Sequence, residues 1–270
     1  MGTDKRNRQK QNRAAAREAM ARRQRRDRVK GRALKWGGLA AVILIIVVAI
    51  SVSGGDDTAV EDTVPVEDTA PTLTTVPGEA ITGDTPCPKT DGTEKRVTSF
   101  EKEPPTCIDA AKKYVATFDT TEGKIVVDLD TEKTPNTVNN FVVLSRYGYY
   151  DGSYVFRTDP GIDIIQGGGA GNTDDPGYSI KDEGNGFKYT EGDLVMARTS
   201  APDSAGGQWF FVAGPKASLL DSQGTYVTFG KVSEGLDVVK AILGLNSGEG
   251  DLGGAPSRTV EIRSVTISES

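Results

Sequence analysis

The 270-residue chain has no histidine, two cysteines and three methionines. Without histidine, Ser-His-Asp and Cys-His nucleophilic arrangements lose their base. No GxxxxGK[ST] run is present, and the triplet Gly167-Gly168-Gly169 leads into a polar loop where a nucleotide-binding fold would start a helix. The acidic pair Asp174-Asp175 reads as loop decoration rather than a metal site, and nothing in the sequence asks for a cofactor. Positive charge is scarce over most of the length. Residues 1–35 hold 14 Lys and Arg against three acids, leaving 18 against 35 for the remainder. Such asymmetry points to a basic arm facing anions and an acidic body elsewhere.

What is present begins with the segment that divides the two. Residues 36–53 contain GGLAAVILIIVVAISV without a charge, near the lower length limit for a membrane-crossing helix. A signal peptide would have a short basic region and a small-x-small cleavage site. Here 35 basic-rich residues come first and no Ala-x-Ala follows, which favours an uncleaved single-span anchor. Lys and Arg mark the cytoplasmic side, so the N-terminus is expected inside and the rest outside. The run RRQRRDR suits phosphate contacts of nucleic acid or of lipid. Beside a membrane span, with no interleaved aromatics, lipid is the favoured partner and no nucleic acid is expected.

Residues 54–86 are rich in Thr, Pro, Asp and Glu and lack hydrophobic periodicity, the texture of an extended, self-repelling linker. Cys87 and Cys107 follow, with 19 residues between them. In an extracytoplasmic segment such an isolated pair is most economically a disulfide, stapling residues 87–108. From 109 to 270 the sequence reads as short strands and Gly-rich turns. YVATFDTTEGKIVVDLD alternates about a hairpin turn, Thr134-Pro135 gives an N-cap with Pro at the first helical position, and EGLDVVKAIL suits a second helix. About eight strands and two helices imply a mainly β fold, a closed or nearly closed antiparallel barrel.

Five stretches in order resemble the cyclophilin family of peptidyl-prolyl isomerases: TPNTVNNFVVLSRYGYYDGSYVFR, PGIDIIQGG, GNTDDPGYSIKDE, GDLVMARTSAPDSAGGQWFFVAG and LLDSQGTYVTFGKVSEGLDVVKAI. The likeness covers Tyr114 to Ser268. It implies an eight-stranded antiparallel barrel capped by two helices, with the substrate groove on its outer face. It also accounts for the missing histidine, because turning an Xaa-Pro amide breaks no covalent bond. The barrier of about 18–20 kcal/mol is lost amide resonance, and preferential binding of the twisted amide lowers it.

By the same resemblance Arg157 is the catalytic arginine, donating to the proline carbonyl and polarising the twisted nitrogen. Its rigid fork of donors and permanent charge suit that task. Gln166 would hold the substrate backbone, Met196 and Ala197 would meet the residue before proline, and Gln208 and Phe210 would belong to the next strand. Phe210 would wall the proline pocket. GGQWFFV also admits Phe211 in that place, with alternation from Gln208 favouring Phe210. Leu220 takes the pocket's leucine position, and Tyr226 stands where many members carry histidine.

Two departures stand out. The family's Phe-Met-x-Gln run is here Asp163-Ile164-Ile165-Gln166, preceded by Ile162, and one extra residue separates Arg157 from Gln166. An aromatic wall is thus missing unless Ile162 replaces it. The overall expectation is a monomeric, membrane-anchored, extracytoplasmic isomerase, or else a catalytically weak binder of Pro-containing segments. Because Leu219 replaces the tryptophan that favours the drug cyclosporin, titration of the protein with cyclosporin is expected to show weak binding; a tight complex would contradict it.

Overall fold

A computed structural model describes residues 77–92, 94–171, 173–248 and 253–270. The basic arm, the apolar run at 36–53 and most of the acidic linker lie outside these residues. Among the described residues no helix is long and apolar enough to cross a membrane.

Eight strands close the barrel. They are β3 (Tyr114–Thr120), β4 (Gly123–Leu129), β5 (Ser153–Asp159), β6 (Ile164–Gly169), β7 (Asp193–Met196), β8 (Trp209–Val212), β9 (Thr228–Glu234) and β10 (Val260–Glu269). Their order around the barrel is β10-β3-β4-β9-β7-β8-β6-β5, with antiparallel neighbours throughout. Two helices, α1 (Pro135–Arg146) and α2 (Leu236–Leu243), complete it, as the periodicity predicts. Inside, Phe118 meets Trp209 and Phe211 edge to face, with ring centroids 5.1 and 5.2 Å away. From α1, Phe141 closes over Phe118, Tyr150 and Phe229. These rings bury large apolar areas, and their edge-on packing adds to what burial alone contributes.

The glycine triplet is explained by this core rather than by any phosphate. A Cβ on Gly167 would lie 2.7 Å from the Tyr154 carbonyl oxygen and 2.8 Å from the Trp209 ring. Gly168 has φ +101° and would meet the Gly207 carbonyl at 2.8 Å. Only glycine fits where β6 runs between β5 and the indole.

The start of α1 differs from expectation. Thr134 precedes it, but its hydroxyl donates to the Asp130 carbonyl and leaves the helix amides uncapped. The carboxylate of Glu183, 46 residues beyond Thr137, accepts from the Asn136 and Thr137 amides at 3.1 and 2.9 Å. A carboxylate here also suits the positive end of the helix dipole.

The linker boundary also moves. Glu79–Ile81 forms a strand, β1, paired in parallel with β2 (Val97–Phe100). The Tyr147 hydroxyl donates to the Pro86 carbonyl. The structure joins Cys87 to Cys107, whose Cα atoms are 5.3 Å apart. The stapled segment is no appendage: Val97 and Phe100 within the loop and Ile108 just after it are buried in the same core as the barrel residues. The polar composition of 77–86 conceals the few residues that dock.

At the far end of the chain, Glu269 receives Arg146 at 2.6 Å and Lys112 at 3.0 Å, linking β10 to α1 and to the approach of β3. The Arg146 guanidinium, then the Lys112 ammonium, hold the Glu269 carboxyl below its usual range. A carboxyl depressed in the folded state stabilises above its ordinary value of about 4.3 and loses that contribution as pH falls through the folded value. Glu269→Gln is therefore expected to lower the urea midpoint at pH 7, with the gap to wild type narrowing toward pH 3. A gap constant with pH would exclude this linkage.

Candidate active site

Three neighbouring strands are buried on both faces, and their alternation sorts the residues. On β8, Trp209 and Phe211 point into the barrel, while Phe210 and Val212 belong to a second apolar cluster on the outer face. On β6, Ile165 faces inward and Ile164 outward; on β7, Leu194 and Met196 face inward and Val195 outward. Tyr189 and Ala217 join this outer cluster, with Ile162, Ala197, Leu220 and Tyr226 packed around it. Above it runs a groove of about 780 Å³.

The structure brings Arg157, Ile162, Gln166, Ala197, Gln208, Phe210, Leu220 and Tyr226 to the lining of that one groove. Met196 is the exception: the period of two that turns Ala197 outward sends Met196 into the barrel core. Leu219, beside Leu220, is 65% exposed and stands outside the lining.

Strand register aligns the central groups. Arg157 pairs with Gln166, Gln166 with Phe210, and Phe210 with Val195, across four consecutive strands. Adjacent strands lie about 4.8 Å apart, so Arg157 and Phe210 are placed two strands apart on either side of Gln166. A polar chain follows the row. Arg157 Nη1 donates to Gln166 Oε1 at 2.9 Å, and Gln166 Nε2 donates to Gln208 Oε1 at 3.0 Å. Gln208 Nε2 then donates to the Asp174 carbonyl at 2.7 Å. The acids Asp174 and Asp175 are engaged as loop acceptors, from the Ala170 and Gly177 amides respectively.

Four contributors escaped the sequence reading. Ile164 lies two residues before Gln166 on the same face and lines the groove beside Ile162, so two aliphatic side chains stand where one aromatic was missed. Asp163, in the turn between Arg157 and Gln166, adopts the left-handed φ of +50°. Its carboxylate accepts from the Lys216 amide at 2.9 Å, tying the groove floor to the 3-10 helix Pro215–Leu220 that carries Leu220. Tyr189 braces the opposite wall: its hydroxyl accepts from the Tyr226 amide and donates to the Tyr226 carbonyl. Burial pushes that phenol up to about 12, so it stays a donor. The fourth is Asp159, nearly buried, whose carboxylate takes Arg157 Nη2 at 2.6 Å and also accepts from the Gly161 amide.

Asp159 and Gln166 together fix the guanidinium. A charge-assisted hydrogen bond contributes about 1.5–3 kcal/mol. If that restraint aims the cation in the transition state, Asp159→Ala lowers kcat by about tenfold or more. Asp159→Asn, which retains an acceptor, loses less. Equal kcat values for wild type and both variants would show the pair to be passive.

The comparisons agree with this geometry. Residues 115–267, more than half the chain, match the family model described as cyclophilin type peptidyl-prolyl cis-trans isomerase/CLD. The chain is 38% identical over 170 residues to peptidyl-prolyl cis-trans isomerase B of Escherichia coli K12, covering 57% of this chain and all of that protein. Over 122 residues it is 41% identical to peptidyl-prolyl cis-trans isomerase B of Bacillus subtilis 168, covering 43% of this chain and 81% of that one. A cyclophilin type isomerase from Cryptosporidium parvum, solved in the presence of the dipeptide Ala-Pro, superposes with a TM-score of 0.51. It shares 26% identity and covers 58% of this chain and 99% of its own. An outward row of Arg157, Gln166 and Phe210 on a closed eight-stranded barrel, carried by a sequence that matches across the whole barrel, makes this chain a member of the cyclophilin-type peptidyl-prolyl cis-trans isomerases.

Proposed function

We propose that the chain catalyses cis-trans isomerisation of Xaa-Pro bonds in exported or surface proteins, on the outer side of a membrane to which residues 36–53 anchor it. The observation that carries the catalytic part is the row Arg157–Gln166–Phe210. In this reading the prolyl ring sits on Phe210, with Ile162, Ile164, Leu220 and Tyr226 around it. Gln166 holds the flanking backbone, as do the backbone groups beside Ala197. Arg157 donates to the proline carbonyl and its charge favours the pyramidal nitrogen of the twisted amide. Uncatalysed exchange takes tens to hundreds of seconds, and these contacts accelerate it only where they are stronger to the twisted form than to the planar one. No proton is transferred, so histidine is dispensable.

The location rests on sequence: a basic arm, an uncharged apolar run and a lone cysteine pair beyond it. A specific observation favours a second reading, a proline-peptide-binding chaperone of low turnover. The Asp159 carboxylate on Arg157 offsets the charge that catalysis would use.

A prolyl-isomerisation assay on the full chain, beside Arg157→Ala, separates the two. The enzyme reading expects acceleration by wild type and a loss of about a hundredfold in kcat/KM on removing the donor. If both match the uncatalysed rate while peptide still binds, the chaperone reading stands. For location, protease added to intact cells is expected to remove the barrel domain; full protection would place it inside.

A further inference from the structure

The groove has two ends, built from different parts of the chain. The proline-pocket end belongs wholly to the barrel and its loops. The other wall runs through Asp174–Ser179 and faces Ser204–Gly207, and the barrel alone does not hold it. The Phe100 amide donates to the Pro176 carbonyl at 2.7 Å. Gly177, at φ +103°, passes so close to β2 that a Cβ there would overlap the Phe100 carbonyl oxygen. The Phe100 ring, 2% exposed, stands edge-on to Tyr178 with centroids 6.1 Å apart, and edge-on to Tyr147 at 5.5 Å. From the far side, Asn140 accepts from the Tyr178 hydroxyl at 2.6 Å and donates to the Gly206 carbonyl at 2.7 Å. The wall is thus clamped between α1 and a strand from outside the barrel.

That strand is itself held. The Val97 amide donates to the Tyr147 carbonyl, and Arg96 Nε to the Gly148 carbonyl. The loop carrying it is closed by Cys87–Cys107, and the Cys107 amide donates to Asn139 on α1.

Building on the isomerase reading, we infer that residues 77–108 are a working part of the groove. Phe100 acts as a positioning residue for the wall that receives substrate residues preceding the Xaa-Pro pair, and the disulfide keeps it in place. The consequence is a dependence on substrate length. A blocked Xaa-Pro dipeptide reaches only the proline pocket; a hexapeptide with several residues before the same Xaa-Pro also lies on the braced wall.

The test measures kcat, KM and Kd for both peptides with the full chain, as wild type, Phe100→Ala and Phe100→Leu. Phe100→Ala is expected to raise KM and Kd for the hexapeptide about tenfold, the effect of losing one or two groove contacts. Its kcat at saturation and its dipeptide constants move severalfold less, since only the Asp174 carbonyl on Gln208 connects the wall to the Arg157 row. Phe100→Leu, which keeps an apolar side chain against Tyr178, falls between. Parallel losses on both peptides would mark a general loss of fold, and no loss on either would mark a bystander; each overturns the inference. If Phe100→Ala does not fold, the double variant Cys87→Ser/Cys107→Ser carries the same comparison. A wild type that turns over neither peptide sinks the isomerase reading instead, and the two Kd values then decide the brace.

Discussion

The structure depends on the double-sided burial of β6, β8 and β7. Antiparallel alternation sends every second side chain inward, where Trp209 and Phe211 lock onto Phe118. The intervening residues must then form a second apolar surface outside. Because the inner rings cannot slip by one residue without exposing themselves, the outer row cannot slip either. Barrel stability and site geometry are in this sense one constraint. Gly167 belongs to it as well, since the indole occupies the space its side chain would need.

Chemistry follows from the same row. A reaction that only twists an amide needs a shape-matched pocket and one well-aimed cation, and strand register supplies both without a titrating group. What distinguishes this chain is how firmly that cation is held. Asp159 and Gln166 each take part of the fork of Arg157, which favours orientation at some cost in field strength. Two aliphatic side chains line the pocket where the family's aromatic is missing, and Asp163 itself adopts a left-handed conformation while gripping the 3-10 helix beside it.

Much of the barrel was legible in the sequence because strands and helices obey short-period rules, whereas the groove residues followed from the family resemblance, with alternation deciding only between Phe210 and Phe211. Alternation from Gln208 placed Phe210, and the hairpin, both helices and all eight strands followed from local pattern. The same rule, applied one position further, would have sent Met196 inward; the resemblance to a family strand had grouped it with Ala197. Ile164 was available by the same counting back from Gln166. The remaining omissions have a different cause. Glu183 on the start of α1 and Phe100 against Tyr178 are contacts across 46 and 78 positions, and no local pattern marks them. Residues 77–86 misled by composition, since Thr, Pro and acids outnumber the few groups that dock.

The Glu183 cap has a consequence beyond holding a helix end. Glu183 lies in the same connection, after β6, that forms the groove wall, yet its carboxylate satisfies amides on α1. Any ordering of that connection would therefore be linked to ordering of the helix start, and the coupling would run equally in both directions. Slowed hydrogen exchange at the Asn136 and Thr137 amides on peptide addition would then report groove occupancy from outside the groove lining.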